Sequence, residues 1–105
     1  MELVWSPAAV DDLNNAADYI ELELASPKAA RDLVDSIIAK ALLFAEVPGS
    51  GTSLRMISGI DTGYRYMVSG NWMVFFKCDE GRALVVRVLY AKSDYMKTLF
   101  GEAGD

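Results

Sequence analysis

The chain contains no histidine. That absence removes the side chain that most often acts as an acid–base catalyst or a metal ligand near neutral pH. Ser93 stands beside Asp94, but without a histidine this pair lacks the base that a hydrolase triad requires. The cysteine and the acidic residues show no metal-ligand spacing. The sequence therefore predicts neither a metal site nor a cofactor.

Cysteines and long apolar runs are also scarce. A single cysteine, Cys78, cannot form an internal disulfide, which is typical of proteins from the reducing cytoplasm. No apolar run approaches the roughly 18 residues of a membrane span, and Met1 to Val4 do not resemble a signal peptide. We therefore expect a cytoplasmic protein without a membrane partner.

The length and composition are those of one globular domain. The 105 residues, of which 52% are hydrophobic and 24% charged, exclude a disordered chain. A domain of this size buries roughly 65% of the surface that its unfolded chain exposes. We assign residues 1–105 to a single domain.

Charge is distributed unevenly along the chain. The net charge of −5 argues against a general nucleic-acid binder, because that affinity comes from many lysine and arginine contacts. Nine of the fifteen acidic residues lie at or before Glu46, whereas seven of the ten basic residues lie between Arg55 and Lys97. The sheet formed by the second half of the chain is therefore a candidate functional surface.

Two serine–proline pairs predict a helical hairpin. Ser6-Pro7 and Ser26-Pro27 each offer a capping hydroxyl followed by a proline suited to the first helical position. The first helix is expected over 7–24, and the second should end near Pro48. The glycine-containing segment from Pro48 to Gly51 lacks the Gly-Lys-Ser/Thr ending of a phosphate loop, so it is interpreted as the end of the helix. Apolar residues recur at helical spacing in three rows: Val10, Leu13, Ala17, Ile20 and Leu24; then Ala30, Leu33, Ile37, Ala41 and Phe44; and Val34, Ile38 and Leu42.

These rows predict how the helices pack. The two rows of the second helix form a broad stripe, which predicts burial against both a sheet and the first helix. The adjacent Asp11 and Asp12 are interpreted as part of a solvated face.

Strand patterns fill most of the remaining chain. A short strand over residues 2–5 precedes the helices, and strands are expected over 54–58 with 63–68, over 71–77 and over 83–90. Ser93 or Asp94 can cap a short final helix. Consecutive hairpins make the sheet antiparallel. The predicted fold is α+β in two layers, with a helical hairpin on a sheet of three to four strands, in the order β-α-α-β-β-β-α.

Several sheet residues are candidates for a functional site. Arg65 and Arg87 lie within strands, and an arginine rarely faces an apolar core unless it is paired. Each therefore either forms an ion pair or meets a partner. Tyr90 and Lys92 project from the end of the last strand, where a ligand could reach them. Trp72 is interpreted as a core or interface anchor.

Short motifs lie along nearly the whole chain in a defined order. They are Trp5-Ser6-Pro7-Ala8-Ala9, Asp12-Leu13, Tyr19-Ile20, Ser26-Pro27, Ala29-Ala30, Pro48 with Gly51, Gly63-Tyr64-Arg65, Asn71 to Phe76, and Val86 to Asp94. In this order and spacing the chain resembles the RelE/ParE superfamily of type II toxin–antitoxin toxins, and within it ParE more closely. The resemblance implies a cognate antitoxin that wraps the toxin in a hetero-oligomer.

The resemblance implies two alternative activities. RelE-like members cleave mRNA on the ribosome with arginine, lysine and tyrosine side chains, whereas ParE-like members act on DNA gyrase without catalysis of their own. Trp72 or Met73 stands where a RelE nuclease has a catalytic arginine, and only Lys92 keeps the basic residue after the last strand. These departures favour a gyrase inhibitor with no catalytic residues.

The resemblance also assigns roles to particular residues. The contact with the target is expected to use Arg65, Arg87, Tyr90, Lys92 and Asp94. The antitoxin is expected to bind the two helices and Trp72, Tyr95, Leu99 and Phe100. In the alternative, a ribosome-dependent endoribonuclease, Arg55, Arg65 and Lys92 would stabilise the phosphate and Tyr90 would move the proton.

Overall fold

The computed structural model describes residues 1–101 and has eight elements of secondary structure within them. They are β1 (Glu2–Trp5), α1 (Pro7–Leu24), α2 (Pro27–Glu46), β2 (Thr52–Arg55), β3 (Asp61–Ser69), β4 (Trp72–Asp79), β5 (Arg82–Tyr90) and α3 (Tyr95–Phe100). The α+β class is confirmed, and in chain order the helical hairpin follows the first strand and precedes the other four.

The two serine–proline pairs start the helices as predicted. Ser6 Oγ accepts the N–H of Ala9 at 3.0 Å, and Ser26 Oγ accepts the N–H of Ala29 at 3.1 Å. Ala25, with φ of 48°, ends α1 in the left-handed region. Because α2 begins only two residues later, the two helices form the tight hairpin that the sequence predicted.

The sheet is larger than the predicted one. Its five strands follow the order β1-β5-β4-β3-β2. β1 pairs in parallel with β5, Trp5 opposite Val85, and the other pairs are antiparallel. The sheet is mixed because β1 and β5 are joined by a long connection, made of the helical hairpin and strands β2 to β4, and only such a connection allows parallel pairing.

The first hairpin of the meander also differs from its prediction. β2 begins at Thr52 and ends at Arg55 rather than running over 54–58. Beyond it the chain turns, and the N–H of Met56 donates to the carbonyl oxygen of Ile60 at 2.9 Å. Met56 to Ile60 therefore form the tip of the β2–β3 hairpin.

Each face of the sheet carries its own apolar cluster. On the helix face, Phe44 of α2 stacks on Phe76 of β4 with ring centroids 4.5 Å apart, and the predicted row from Ala30 to Phe44 is confirmed as core. On the opposite face α3 packs on Phe75 and Met73. The sheet is thus covered by two helices on one side and by one short helix on the other.

Two predicted packing rows are partly wrong. Ile38 and Leu42 are 38% and 50% exposed, because α2 contacts α1 and the sheet with other sides of its surface. In α1, Val10 and Leu24 are exposed. The buried side of α1 instead carries Ala9, Leu13, Ala16 and Ile20.

Candidate functional site

Three aromatic side chains meet where β5 ends and β4 begins, beside α1. Tyr90 and Trp72 are paired across the strands, and their ring centroids are 5.4 Å apart at 69°. Tyr19 of α1 lies 5.9 Å from Trp72 at 58°. Together Tyr19, Trp72 and Tyr90 line an open cavity of about 310 Å³, which we call the aromatic groove. Trp72 is 7% exposed at its base, whereas Tyr19 and Tyr90 are 50% and 37% exposed.

An ion pair between α1 and β5 lies beside the aromatic groove. Asp12 accepts hydrogen bonds from Arg87 Nε at 2.6 Å, from Arg87 Nη2 at 2.9 Å and from the backbone N–H of Val88 at 3.0 Å. Bidentate contacts of this kind combine charge with fixed geometry. The carboxylate thus holds the helix against the strand by three hydrogen bonds.

The strand geometry explains why this ion pair forms here. Phe75 lies opposite Arg87 but Phe76 lies opposite Val85, so Val86 is an extra residue in β5. β1 reaches only to Val85. Beyond that point the edge of β5 needs other partners. Ser6 Oγ donates to the carbonyl oxygen of Val86 at 2.7 Å. Further along the same edge, the N–H of Val88 donates to Asp12.

The charge of Arg87 is neutralised within the chain. Its hydrogen bond to Asp12 raises the pKa of the guanidinium, burial opposes the shift, and the charge of Asp12 adds to it. Arg87 therefore stays protonated at every pH at which the protein would be studied. Asp11 is exposed as predicted, but the interpretation of Asp12 as solvated is wrong.

Arg65 is also engaged inside the chain. Its Nε donates to the carbonyl oxygen of Ser50 at 2.8 Å, Nη2 to that of Gly51 at 2.8 Å, and Nη1 to Ser53 Oγ at 2.9 Å. The segment that Arg65 holds approaches β3 so closely that it needs a glycine. Gly51 has φ of +82°, and a Cβ there would lie 2.7 Å from the carbonyl oxygen of Tyr66. Arg65 thus fastens the segment after α2 against β3.

The five residues predicted for target contact do not form one cationic surface in the described part of the chain. Arg65 and Arg87 hold intramolecular partners, and Asp94 Oδ1 caps α3 by accepting the N–H of Lys97 at 3.3 Å. Tyr90 remains part of the aromatic groove. Lys92 is exposed in the turn that follows, which is closed by the N–H of Ser93 donating to the carbonyl oxygen of Tyr90 at 2.9 Å.

The residues predicted for antitoxin binding lie on two faces. Trp72 belongs to the cluster on the helix face. The other three, Tyr95, Leu99 and Phe100, belong to α3 and pack on the opposite face. Tyr95 lies 5.5 Å from Phe75, and Phe100 lies 5.2 Å from Tyr64. One flat contact therefore cannot cover all four.

The residues of the nuclease alternative are also separated. Arg55 is in register with Asp61 at the first residue of β3, and it donates to the carbonyl oxygen of Gly59 at 3.0 Å. Tyr90 is aligned through Trp72 with Ser69 at the last residue of β3. Asp61 and Ser69 are the two ends of β3. Arg55 and Tyr90 are therefore separated by about 26 Å along the strands, at ~3.3 Å per residue.

Sequence reasoning missed Asp12 and Tyr19 as site residues. The signal is their spacing, since seven residues are two helical turns and place both side chains on one side of α1. Ala9 and Ala16, which lie three residues before each of them, are buried. An acid beside small buried residues indicates a side facing the protein rather than solvent.

A second open surface lies on the helical hairpin. A cavity of about 250 Å³ between α1 and α2 has an apolar floor that includes Ala17, Ala30 and Val34, with Glu21 and Asp35 among its charged neighbours. Ile38 and Leu42, exposed one and two turns beyond Val34, continue this apolar strip. We call Val34, Ile38 and Leu42 the outer ridge of α2.

Two kinds of feature are absent from residues 1–101. None of their helices combines the length and the apolar character needed to cross a bilayer. Nor do their cysteine and acidic side chains gather in groups of three that could hold a metal ion.

Comparison with known proteins gives a consistent family. Residues 3–95 match the sequence profile described as "ParE toxin of type II toxin-antitoxin system, parDE". No curated protein sequence matches the chain significantly.

Solved structures share the fold at low sequence identity. A chromosomal ParDE toxin–antitoxin system from P. aeruginosa superposes with a TM-score of 0.72 at 19% identity, over 88% of this chain and 97% of that chain. A YoeB/ParE toxin from Agrobacterium tumefaciens gives 0.55 at 18%, over 86% and 98%. A RelB–RelE antitoxin–toxin complex from Methanococcus jannaschii gives 0.54 at 18%, over 92% and 98%.

The ion pair makes a prediction about stability. Replacing Asp12 with asparagine removes the charge that faces Arg87, and charged hydrogen bonds of this kind contribute about 1.5–3 kcal/mol. We expect the free energy of unfolding in urea to fall by that amount. Asp11→Asn is the matched control at the exposed neighbour and should change it by less than about 0.5 kcal/mol. Equal effects of the two substitutions would show that the pair does not hold α1 on the sheet.

Proposed function

Since the chain belongs to the family of ParE toxins of type II toxin–antitoxin systems, we propose that it arrests growth by binding DNA gyrase. An antitoxin neutralises it in a hetero-oligomeric complex. The solved relatives support the antitoxin, because their descriptions name a ParDE system and a RelB–RelE complex.

The separation of the cationic side chains is the observation that carries the proposal. Cleavage of a phosphodiester requires charge stabilisation and proton transfer around one phosphate. Of the four residues in the nuclease alternative, Arg55 lies at the other end of the sheet from Tyr90. Arg65 is held by three intramolecular hydrogen bonds. The pair that remains, Tyr90 with Lys92, suits contact with a protein better than catalysis on RNA.

The charge of the chain supports the same choice. RNA on the ribosome presents a dense phosphate surface, and affinity for it depends on many basic contacts. Here the net charge is −5, and Arg87 is neutralised by Asp12. A protein target is therefore the better match.

The contact with the target is assigned to the aromatic groove and Lys92. Tyrosine and tryptophan are typical of interface hot spots, and the groove presents two tyrosines and one tryptophan, with the exposed Lys92 close in sequence to Tyr90. Trp72 and Tyr90 are fixed by β4 and β5, and Tyr19 by α1. The Asp12–Arg87 pair acts here by holding α1 in place rather than by touching the target.

The antitoxin is assigned to the outer ridge of α2. Val34 is half-buried and Ile38 and Leu42 are exposed. The three recur every four residues along one side of α2, which is the spacing that an amphipathic partner helix uses for its anchors. This ridge lies on the helical hairpin, which the sequence had predicted as part of the antitoxin site. For Trp72, Tyr95, Leu99 and Phe100, a role in antitoxin binding remains a prediction.

The first test separates the two activities. Purified protein should inhibit supercoiling of plasmid DNA by gyrase and leave mRNA intact in a cell-free translation reaction. Cuts at codon positions in the mRNA, together with normal supercoiling, would contradict the proposal and favour the nuclease.

A second test locates the contact surface. Lys92→Ala should weaken inhibition of gyrase about tenfold, the effect of losing ~1.4 kcal/mol of binding free energy. Lys28→Ala, at the start of α2, is the matched control and should retain full inhibition. If both variants inhibit like the unmodified protein, the target contact is not at the end of β5.

A third test addresses the antitoxin. Leu42→Asp places a charge on the outer ridge and should weaken antitoxin binding by at least about tenfold, since burying an unpaired carboxylate is costly. Inhibition of gyrase should persist. Leu22→Asp, the same change at an exposed position of α1, should bind the antitoxin normally. Binding is measured by calorimetry, and equal affinities for both variants would exclude the ridge.

A further inference from the structure

We infer that the aromatic groove accepts an arginine side chain of the protein target. The inference deepens the proposed function, and it rests on that proposal in placing the target at this groove. It adds the chemistry of the group that the groove recognises.

The arrangement of the rings suits a cation. The Trp72 ring is inclined by 58° to Tyr19 and by 69° to Tyr90, so the three rings do not stack into one flat layer. An arginine is attracted to an aromatic face when it lies within about 6 Å of the ring centroid, and tryptophan is the strongest acceptor. Three such rings line the cavity. Trp72 and Tyr90 come from the sheet, and Tyr19 comes from α1.

The charges around the groove favour a cation over an anion. α1, which carries Tyr19, contains five acidic residues and no basic residue: Asp11, Asp12, Asp18, Glu21 and Glu23. Glu23 is four residues from Tyr19 and therefore lies one turn along the same side of the helix. Arg87, a basic residue that lines the adjoining cavity, already forms an ion pair with Asp12. Lys92, two residues after Tyr90, is a single exposed positive charge.

The polar groups at the groove favour arginine over lysine. Asn15 lines an adjoining open cavity of about 280 Å³ that also includes Tyr19, Tyr90 and the paired Arg87, and its side-chain carbonyl oxygen can accept a hydrogen bond. A guanidinium is planar, stacks on aromatic faces and carries five N–H donors, whereas an ammonium is more strongly hydrated. One arginine can therefore contact a ring while donating to Asn15 or to Glu23, which lie one turn from Tyr19 in opposite directions along α1.

The groove can be tested with a small probe in the full-length protein. N-acetyl-arginine amide is titrated into the ¹⁵N-labelled protein, and the indole N–H signal of Trp72 is followed by NMR, assigned with a Trp5→Phe variant. We expect a saturable shift in the millimolar range. N-acetyl-citrulline amide, which has nearly the same shape without the charge, should bind at least about twofold more weakly, the lower bound for a lost cation–ring contact. Equal shifts with both probes, or none with either, would overturn the inference.

Variants connect the groove to the target. Tyr19→Leu and Glu23→Gln should each weaken binding of the arginine probe by about two- to fivefold, while Glu46→Gln, the same charge change at the far end of α2, should not. Tyr19→Leu should weaken inhibition of gyrase as well. Probe binding that is lost while inhibition stays unchanged would show that the target does not use this groove. If the unmodified protein binds the probe but leaves supercoiling normal, the proposed function fails instead.

Discussion

The position of α1 depends on the carboxylate of Asp12. β1 pairs with only the first part of β5, and beyond Val85 the strand edge would otherwise meet solvent. Asp12 accepts the N–H of Val88 and both donors of Arg87, so one side chain satisfies the edge and joins the helix to the sheet. A partly buried carboxylate is stable only when its oxygens are well bonded. The bulge at Val86 is what brings Arg87 and Val88 to it together.

This constraint explains the shape of the candidate site. Tyr19 lies two turns after Asp12 on the same side of α1, so fixing the first residue against β5 also sets the second beside Trp72. The groove is thus built by secondary structure rather than by loops, and rigid elements position a contact surface more accurately. Arg65 has a similar structural role at the other edge of the sheet, where it holds the segment after α2.

Much of the fold could be predicted from local patterns. The serine–proline pairs fixed where both helices begin, and the row from Ala30 to Phe44 identified the core side of α2. Local patterns do not contain the pairing of β1 with β5, which joins residues 80 apart. For the same reason they could not assign Arg87, because its partner Asp12 is 75 residues away and looks like an ordinary helical acid. Identity with the solved relatives is only 18–19%, and the function of a protein depends on the residues of its site rather than on its fold.

The parallel pairing of the two ends of the chain also has a consequence for biosynthesis. β1 and the cap at Ser6 acquire their partners only when residues 82–86 have been made. At about 5–20 residues per second, a ribosome needs roughly 4–16 s to add those 80 residues. During that interval the helical hairpin emerges with its core side uncovered and the groove incomplete. The aromatic groove therefore cannot form until most of the chain, up to Tyr90, has been synthesised.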